Sequence, residues 1–296
     1  MAVASMPTSS ATASPRRRSQ LGMAWRRYRR NWLAVAGLVW VILFLIIGII
    51  GPWIAPYSYQ ATDFLNANQG PTWQHIFGTD NLGHDMFSEI LWSVQNALEI
   101  AFGATLISFV VGVILGLWAG LKGGAADMFV MRLVDFMFAF PTFFMDLILV
   151  TKFGRGMGPI LFAIGITGWA GYARLIRSLV LGMRNGEMVE AATALGATQW
   201  HIMRRYLFPN VMNSMLVALA FGIPGDLTVM AGLSVVGMGL RPPLPSFGNM
   251  IAAAGGNMLG YPWLMYFPAG IFAITLLAFL FVADGLQEAL NPKGGF

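Results

Sequence analysis

Six runs of about twenty mostly apolar residues constrain this sequence more than any other feature. The runs are Leu33–Ala55, Ile100–Leu121, Leu133–Thr151, Met157–Leu175, Val211–Val236 and Trp263–Ala283. A helix of about 20 residues spans the roughly 30 Å hydrocarbon core of a bilayer, where every backbone polar group must be paired within the protein. Because barrel strands would be shorter and alternate in polarity, the sequence predicts an all-α integral membrane protein with six transmembrane helices.

The composition agrees with a lipid environment and excludes several other classes of protein. Hydrophobic residues make up 57% of the chain and charged residues 10%, whereas about 25% of an average soluble domain is charged. The absence of cysteine excludes disulfide scaffolds, thiolate metal centres and cysteine nucleophiles. Seven of the eighteen Lys and Arg residues lie between Arg16 and Arg30, just before the first apolar run. The formal charge of +5 therefore indicates membrane topology, and we expect a lipid bilayer and no nucleic acid as partner.

The distribution of Lys and Arg also predicts the orientation in the membrane. No Lys or Arg lies between Asn31 and Leu121, and the acidic loop before the second run is therefore expected outside. With six helices, fifteen Lys and Arg residues are cytoplasmic and three are outside, so both termini are predicted to be cytoplasmic. The predicted division is a disordered basic tail (1–31), a first transmembrane helix with an external loop (32–95), a transmembrane domain (96–285) and a cytoplasmic tail (286–296).

The cytoplasmic stretch 174–209 is too long for a simple connector and predicts two short helices at about 186–205. Glu187 and Glu190 favour the first turn of a helix, and Gly196 is typical of the left-handed residue that follows a helix end. Met188, Ala192 and Leu195 are predicted to share one apolar face.

A second helix is predicted to begin after Thr198, which can cap it, and Pro209 should limit its continuation. Two interpretations of this helix pair remain open from the pattern alone. The pair either lies on lipid headgroups or forms a docking surface for a cytoplasmic protein.

A motif in this stretch favours the docking surface. Glu190-Ala191-Ala192, Gly196, Tyr206, Phe208 and Pro209 follow the pattern E-A-A, three residues, G, nine residues, I-x-L-P, with Tyr and Phe in place of Ile and Leu. The segment resembles the cytoplasmic loop of permease subunits of ATP-binding cassette importers.

Further motifs extend the resemblance along most of the chain. The outer stretch Phe77–Asp85 resembles the G-T-D-x-x-G-R-D of these permeases, with His84 where arginine is common, and 284–292 resembles their D-G-L-x-x-A-L-D-P. Together they indicate the dipeptide, oligopeptide and nickel importer branch, of the second-permease "C" type.

The resemblance implies a fold, partners and a substrate class. The fold would be the type I importer permease (MetI-like) fold, in a multi-pass protein of the bacterial inner membrane. Partners would be a second homologous permease, two cytoplasmic ATPases and an external substrate-binding protein. The chain itself has no G-x-x-x-x-G-K-[ST] loop, so ATP and Mg are expected on the ATPases, no cofactor on this chain and no enzymatic activity of its own. We expect peptides as substrates, with nickel, glutathione or another small solute as alternatives, and a secondary transporter or channel working without ATP as the rival class.

The residues expected to carry the function form two sets. The ATPase-coupling set is Glu187, Met188, Glu190, Ala191, Ala192, Leu195, Gly196 and Pro209. The pathway set is Asp146, Asp226 and Met230, because carboxylates within a membrane usually face a cavity or a partner, and Met230 stands where the resemblance places an acid. Asp226 follows Pro224-Gly225, where a helix break could expose backbone.

No metal or catalytic site is expected. The outer set His75, Asp80, His84 and Asp85 offers ligand atoms but matches no standard metal spacing, and no serine is paired with a histidine in a catalytic pattern.

Overall fold

The computed structural model describes residues 20–290, and the regular secondary structure of that part is helical, apart from one isolated bridge between Thr79 and Asp85. The helices are α1 (Gln20–Tyr28), α2 (Trp32–Ile54), α3 (Met86–Lys122), α4 (Gly124–Ala139), α5 (Thr142–Phe153), α6 (Met157–Thr167), α7 (Trp169–Arg184), α8 (Glu187–Ala194), α9 (Gln199–Ile202), α10 (Phe208–Val235), α11 (Phe247–Ala254) and α12 (Trp263–Leu290). The predicted all-α membrane fold is confirmed.

Five helical stretches are long and apolar enough to cross a membrane. They are α2, α3, α6 with α7 (Met157–Arg184), the run Gln199–Val235 that contains α10, and α12. A sixth crossing exists if the pair α4 and α5 counts as one span, although the two helices are bent by 85°. The run Leu133–Thr151 was expected to be one helix, and that detail is wrong. Pro141 has no N–H to donate and disfavours helical geometry at Phe140, whose φ and ψ are −111° and 139°.

Helix α3 is much longer than its apolar run. It has 37 residues, about 55 Å at 1.5 Å per residue, where only Ile100–Leu121 was expected to be helical. Asp85 caps its first turn by accepting a hydrogen bond from the Ser88 backbone N–H at 2.8 Å. Residues 86–95, predicted as loop, therefore form the first turns of a membrane helix.

Glycines allow α3 to lie close against α7. A Cβ atom built on Gly116 would lie 2.7 Å from the carbonyl oxygen of Ala173, and one on Gly120 would lie 2.8 Å from the Cβ of Val180. Gly112 likewise faces the backbone of α7. These contacts show that small residues on α3 permit a close approach of the two helices.

The largest apolar core joins the two ends of the chain to its middle. Residues of α2, α3, α10, α11 and α12 pack together there, with Phe44 in contact with the rings of Phe247 and Phe279. A second core lies between α3, α5, α6 and α10, and a third lies at the cytoplasmic end of α3, α7 and α10.

Two predicted boundaries are corrected at the chain ends. Residues 20–28, assigned to a disordered tail, form α1, where the buried Tyr28 donates a hydrogen bond to the Ala34 carbonyl at 3.0 Å. The boundary at 285 falls inside α12, because Gly285 packs closely against Ala34 and Tyr28 and the helix continues to Leu290. The remainder of both predicted tails, 1–19 and 291–296, lies outside the described residues.

Candidate functional site: the cytoplasmic coupling segment

The coupling segment, residues 186–207, begins with the short helix α8. Its end is a Schellman motif: the Ala197 N–H donates to the Ala192 carbonyl at 3.0 Å and the Gly196 N–H to the Thr193 carbonyl at 2.9 Å. Gly196 has φ +83°, the left-handed conformation that glycine adopts at least cost. The predicted helix and its glycine stop are both present.

The buried face of α8 differs from the predicted one. Val189 and Ala192, which are 7% and 6% exposed, pack into the cytoplasmic core with Leu117 of α3 and Val180 of α7. The expected face of Met188, Ala192 and Leu195 is wrong, because Met188 is exposed and Leu195 is 89% exposed. A spacing of three residues, as between Val189 and Ala192, also places side chains on one helix face.

The rest of the coupling set is accessible from the cytoplasm-facing side of the segment. Glu187, Glu190, Ala191 and Gly196 are exposed, as is Pro209 beyond the segment. Trp200, which the sequence analysis did not assign to the site, is also exposed at 64%. The segment thus presents exposed apolar side chains next to two carboxylates at a helix N-terminus, where the helix dipole favours negative charge.

The second helix of the segment is shorter than predicted and does not end at Pro209. The Thr198 hydroxyl caps α9 by accepting from the His201 backbone N–H at 3.3 Å, as expected. A π-helical turn, Met203–Leu207, then leads directly into α10. Its last bond joins the Phe208 N–H to the Met203 carbonyl, five residues back. Because this turn has already shifted the hydrogen-bond register, Pro209 is accommodated in the first turn of α10.

The segment is fixed to three membrane helices. Ile202 and Leu207, both almost fully buried, contact the same core as Val189, and this core includes Val211 and Met215 of α10. Arg184, at the end of α7, donates a hydrogen bond to the Gly120 carbonyl near the end of α3 at 3.4 Å. A force on the segment therefore acts on α3, α7 and α10 together.

The two predicted pathway carboxylates each bind a threonine from another helix. Thr105 of α3 donates to Asp226 Oδ2 at 2.5 Å, and Thr167 of α6 donates to Asp146 Oδ1 at 2.6 Å. Asp226 is half-buried, whereas Asp146 is fully buried. The partners lie 121 and 21 residues away in sequence, so no local pattern could have found them.

Three further observations concern membrane residues. Met230 is buried in the second core beside Leu233. Helix α10 continues through Pro224, so the expected break before Asp226 is absent. Asp135 of α4 forms an ion pair with Arg174 of α7 at 2.9 Å.

Fold and segment together define a class of protein. A bundle of membrane-crossing helices carries an ordered cytoplasmic helix pair with exposed apolar side chains, in the register of the E-A-A and G motif. This is the architecture of a permease subunit, the membrane-spanning part of a transporter.

Comparison with known proteins places the chain within that class. The family model described as binding-protein-dependent transport system inner membrane component matches residues 112–294. The model described as N-terminal TM domain of oligopeptide transport permease C matches residues 19–71. The chain belongs to the family of binding-protein-dependent transport system inner membrane components, which are permease subunits of ATP-binding cassette importers. It is a multi-pass protein of the bacterial inner membrane.

Individual relatives and solved structures agree. The chain is 36% identical to the oligopeptide transport system permease protein OppC of Bacillus subtilis (strain 168) over 270 residues, covering 91% of this chain and 88% of the relative. The chain is also 36% identical to the dipeptide transport system permease protein DppC of the same strain, and the match covers 91% of this chain and 85% of DppC. Its identity to the glutathione transport system permease protein GsiD of Escherichia coli O6:K15:H31 (strain 536 / UPEC) is 36%, and the match covers 91% of this chain and 89% of GsiD. An inward-facing structure of the MetNI methionine ABC transporter has a TM-score of 0.57 at 18% identity, covering 69% of this chain and 96% of that one. The last similarity concerns the fold, and in this family the ATPase lies on separate subunits.

Proposed function

We propose that this chain is one of two homologous permease subunits of an importer that takes up di- or oligopeptides. Two cytoplasmic ATPases bind and hydrolyse Mg-ATP, an external binding protein delivers the peptide, and this chain takes no part in binding the nucleotide. The observation that carries the proposal is the coupling segment: its motif residues are held by a Schellman-capped helix whose apolar side chains Met188 and Leu195 are exposed. The family membership sets aside the rival class of carrier that works without ATP.

Coupling follows from how α8 is anchored. Val189 and Ala192 bury one face in the core shared with α3, α7 and α10, while Met188 and Leu195 remain free to enter a groove of an ATPase. When ATP binding draws the two ATPases together, α8 moves as a rigid body and takes the ends of these helices with it. ATP then shifts the equilibrium between two packed states of the permease by the difference in its binding energy for them.

Peptides are proposed as substrates because the relatives that cover this chain almost completely are named for oligopeptide and dipeptide transport. A relative at the same identity is named for glutathione, which is itself a tripeptide. A substrate with a peptide backbone is common to all three.

The uptake of labelled solutes by the reconstituted complex tests this function. The chain, its partner permease, the ATPases and the binding protein are placed in proteoliposomes and offered dipeptides, longer peptides, glutathione and a nickel complex. We expect ATP-dependent uptake of a peptide and ATP hydrolysis stimulated by the loaded binding protein. Uptake of nickel alone would overturn the substrate class, and uptake without ATP would overturn the importer.

The role of α8 is tested by Leu195→Asp in the same complex. A charge at this exposed position leaves the chain's own packing intact but places a carboxylate in the apolar contact with the ATPase. We expect normal membrane insertion and ATPase association that is weaker by at least about tenfold. Such a change corresponds to a loss of about 1.4 kcal/mol in binding free energy. Thr193→Asp, on the other flank of the same helix, is the matched control and should retain coupling. Equal coupling in both variants would remove α8 from the ATPase contact.

A further inference from the structure

Three side chains that can ligate a metal converge on the outer side of the molecule, away from the coupling segment. They are Asp80, His84 and Glu89, where the 77–85 turn meets the first turn of α3. His84 Nδ1 lies 2.9 Å from Asp80 Oδ2 and 3.8 Å from Glu89 Oε1. One ligand atom from each residue lies within 4.8 Å of the other two. The side chains are only 12–19% exposed.

The backbone holds these three residues in place. Asp80 Oδ1 accepts hydrogen bonds from the backbone N–H groups of Leu82 and His84 at 2.8 and 2.7 Å, which directs Oδ2 towards the imidazole. Glu89 is fixed by the start of α3, where Asp85 caps the helix. The cluster is therefore preorganised by a turn and a helix end rather than by long flexible side chains.

Its geometry suits a tetrahedral divalent ion. Ligand atoms at about 2.0–2.2 Å from zinc lie roughly 3.3–3.5 Å apart in a tetrahedron. The two distances from His84 Nδ1, 2.9 and 3.8 Å, fall on either side of that value. Small side-chain rotations that move the Asp80 and Glu89 oxygens by a few tenths of an ångström would make the two distances equal. Imidazole and carboxylate are common ligands of zinc and of its neighbours in the first transition row.

Glu89 distinguishes the cluster from an ordinary hydrogen-bonded pair. Within residues 20–290 its carboxylate accepts no hydrogen bond, and the basic group within 4 Å of it is His84. A carboxylate that is 12% exposed and has no donor is costly to keep ionised. A cation bound between the three residues would neutralise it.

The cluster also has room for a further ligand. It lines a cavity of about 210 Å³ together with Pro242–Pro245, Asn249 and Asn257. A cavity of this size holds several water molecules. An ion bound by three protein ligands therefore has a fourth position open to water.

We propose that Asp80 Oδ2, His84 Nδ1 and Glu89 Oε1 bind one divalent transition-metal ion of the zinc class, with water in the fourth position. The ion would tie the outer turn to the first turn of α3. The neighbouring pair His75 and Asp85 is not part of the site, because Asp85 Oδ2 already accepts from Ser88 and no third ligand is brought to the pair. The expectation of no metal site grouped these two residues with Asp80 and His84 and omitted Glu89.

Titration of the untagged full-length chain in lipid nanodiscs with Zn²⁺, and with Co²⁺ as a spectroscopic probe, tests the site. We expect one ion per chain, a visible Co²⁺ spectrum of tetrahedral type, and a rise in thermal stability on adding Zn²⁺. His84→Arg keeps a cation between the two carboxylates but cannot ligate, so its stability without metal should be retained while metal binding is lost. Glu89→Gln should weaken binding by more than about tenfold.

His75→Gln is the matched control, since it alters a His–Asp pair with the same 2.9 Å distance that lacks a third ligand. It should bind Zn²⁺ like the wild type. Binding that is as strong in His84→Arg as in the wild type, or that is lost in His75→Gln and kept in Glu89→Gln, would overturn the site. Absence of Zn²⁺ binding by the wild type would overturn the site and leave His84 as a hydrogen-bonding partner of Asp80.

Discussion

At the scale of single residues, two adjacent alanines of the E-A-A motif have different surroundings. Ala191 is exposed, whereas Ala192 is 6% exposed and packs in the cytoplasmic core. The same letter in the motif thus corresponds to an exposed side chain at one position and to a contact within this chain at the next.

Glutamate substitutions at these two positions should separate the two roles. Ala192→Glu buries an unpaired carboxylate, which costs about 2 kcal/mol or more, so we expect the coupling segment to detach from the core. Ala191→Glu should leave the segment in place. Limited proteolysis and hydrogen exchange of residues 187–202 measure this difference, and equal protection in both variants would contradict the burial of Ala192.

The positive φ of Gly196 leads to a second prediction. A Cβ on this residue would meet no atom within 4 Å, so Gly196→Ala changes only the backbone preference. The left-handed conformation costs a non-glycine residue about 1–2 kcal/mol, and we expect faster exchange of the amides that close α8. Gly182→Ala in α7, which is also without neighbours within 4 Å, should be neutral or slightly stabilising. Slower or unchanged exchange in Gly196→Ala would show that the Schellman motif does not hold the helix end.

At the scale of helices, glycines of α3 bring its backbone close to α7, alongside contacts between larger side chains such as Phe109 and Tyr172. In lipid, helices gain little from hydrophobic burial, so close backbone approach supplies much of the packing energy. A methyl group added at Gly116 must displace backbone, because the nearest atom to a Cβ there is a carbonyl oxygen of α7.

Gly116→Ala should therefore lower the stability of the folded protein. Overpacking of this kind costs about 1–3 kcal/mol, since α3 and α7 must separate by a few tenths of an ångström. Gly171→Ala, on the same pair of helices but with no atom within 4 Å of the added Cβ, is the control. Thermal unfolding followed by tryptophan fluorescence compares the two, and a loss in Gly171→Ala alone would contradict the close approach of α3 and α7 at Gly116.

The sequence predicted the existence of the helices better than their ends and faces. Apolar length identified the spans because lipid imposes it, but the polar residues before Ile100 concealed the first turns of α3, which the cap at Asp85 and tertiary packing stabilise. The bend at Pro141 could have been predicted from the sequence, because proline lacks the N–H that a continuous helix needs and disfavours helical geometry at the residue before it. In α8, glycine and acid positions predicted both ends, yet Val189 rather than Leu195 is buried, because the position of the neighbouring helices decides which face is covered. The cluster at Glu89 required the turn geometry as well.

At the scale of the whole molecule, the charge asymmetry assigns a side of the membrane to each loop. The loop that contains Leu65 has no Lys or Arg, and the turn that contains Asn185 lies beside Arg184 and the coupling segment. The orientation of the entire bundle is a single choice between two alternatives.

Cysteine labelling tests this orientation without background, since the chain has no native cysteine. Leu65→Cys, at a position that is 98% exposed, should react with an impermeant thiol reagent added to intact cells. Asn185→Cys should react only after the membrane is opened. Labelling of the Asn185 site in sealed cells would invert the orientation and place the coupling segment outside.

The length of α3 links the two faces of the protein. The helix starts at the outer turn that carries Asp80 and His84 and ends in the core that anchors α8, and it is about 25 Å longer than the hydrocarbon core is thick. A tilt of about 5° around its midpoint moves the two ends by roughly 2 Å in opposite directions over this length. If α3 tilts as a rigid body, a displacement at the outer turn is therefore accompanied by an opposite displacement where α8 is anchored, without a chain of intermediate rearrangements.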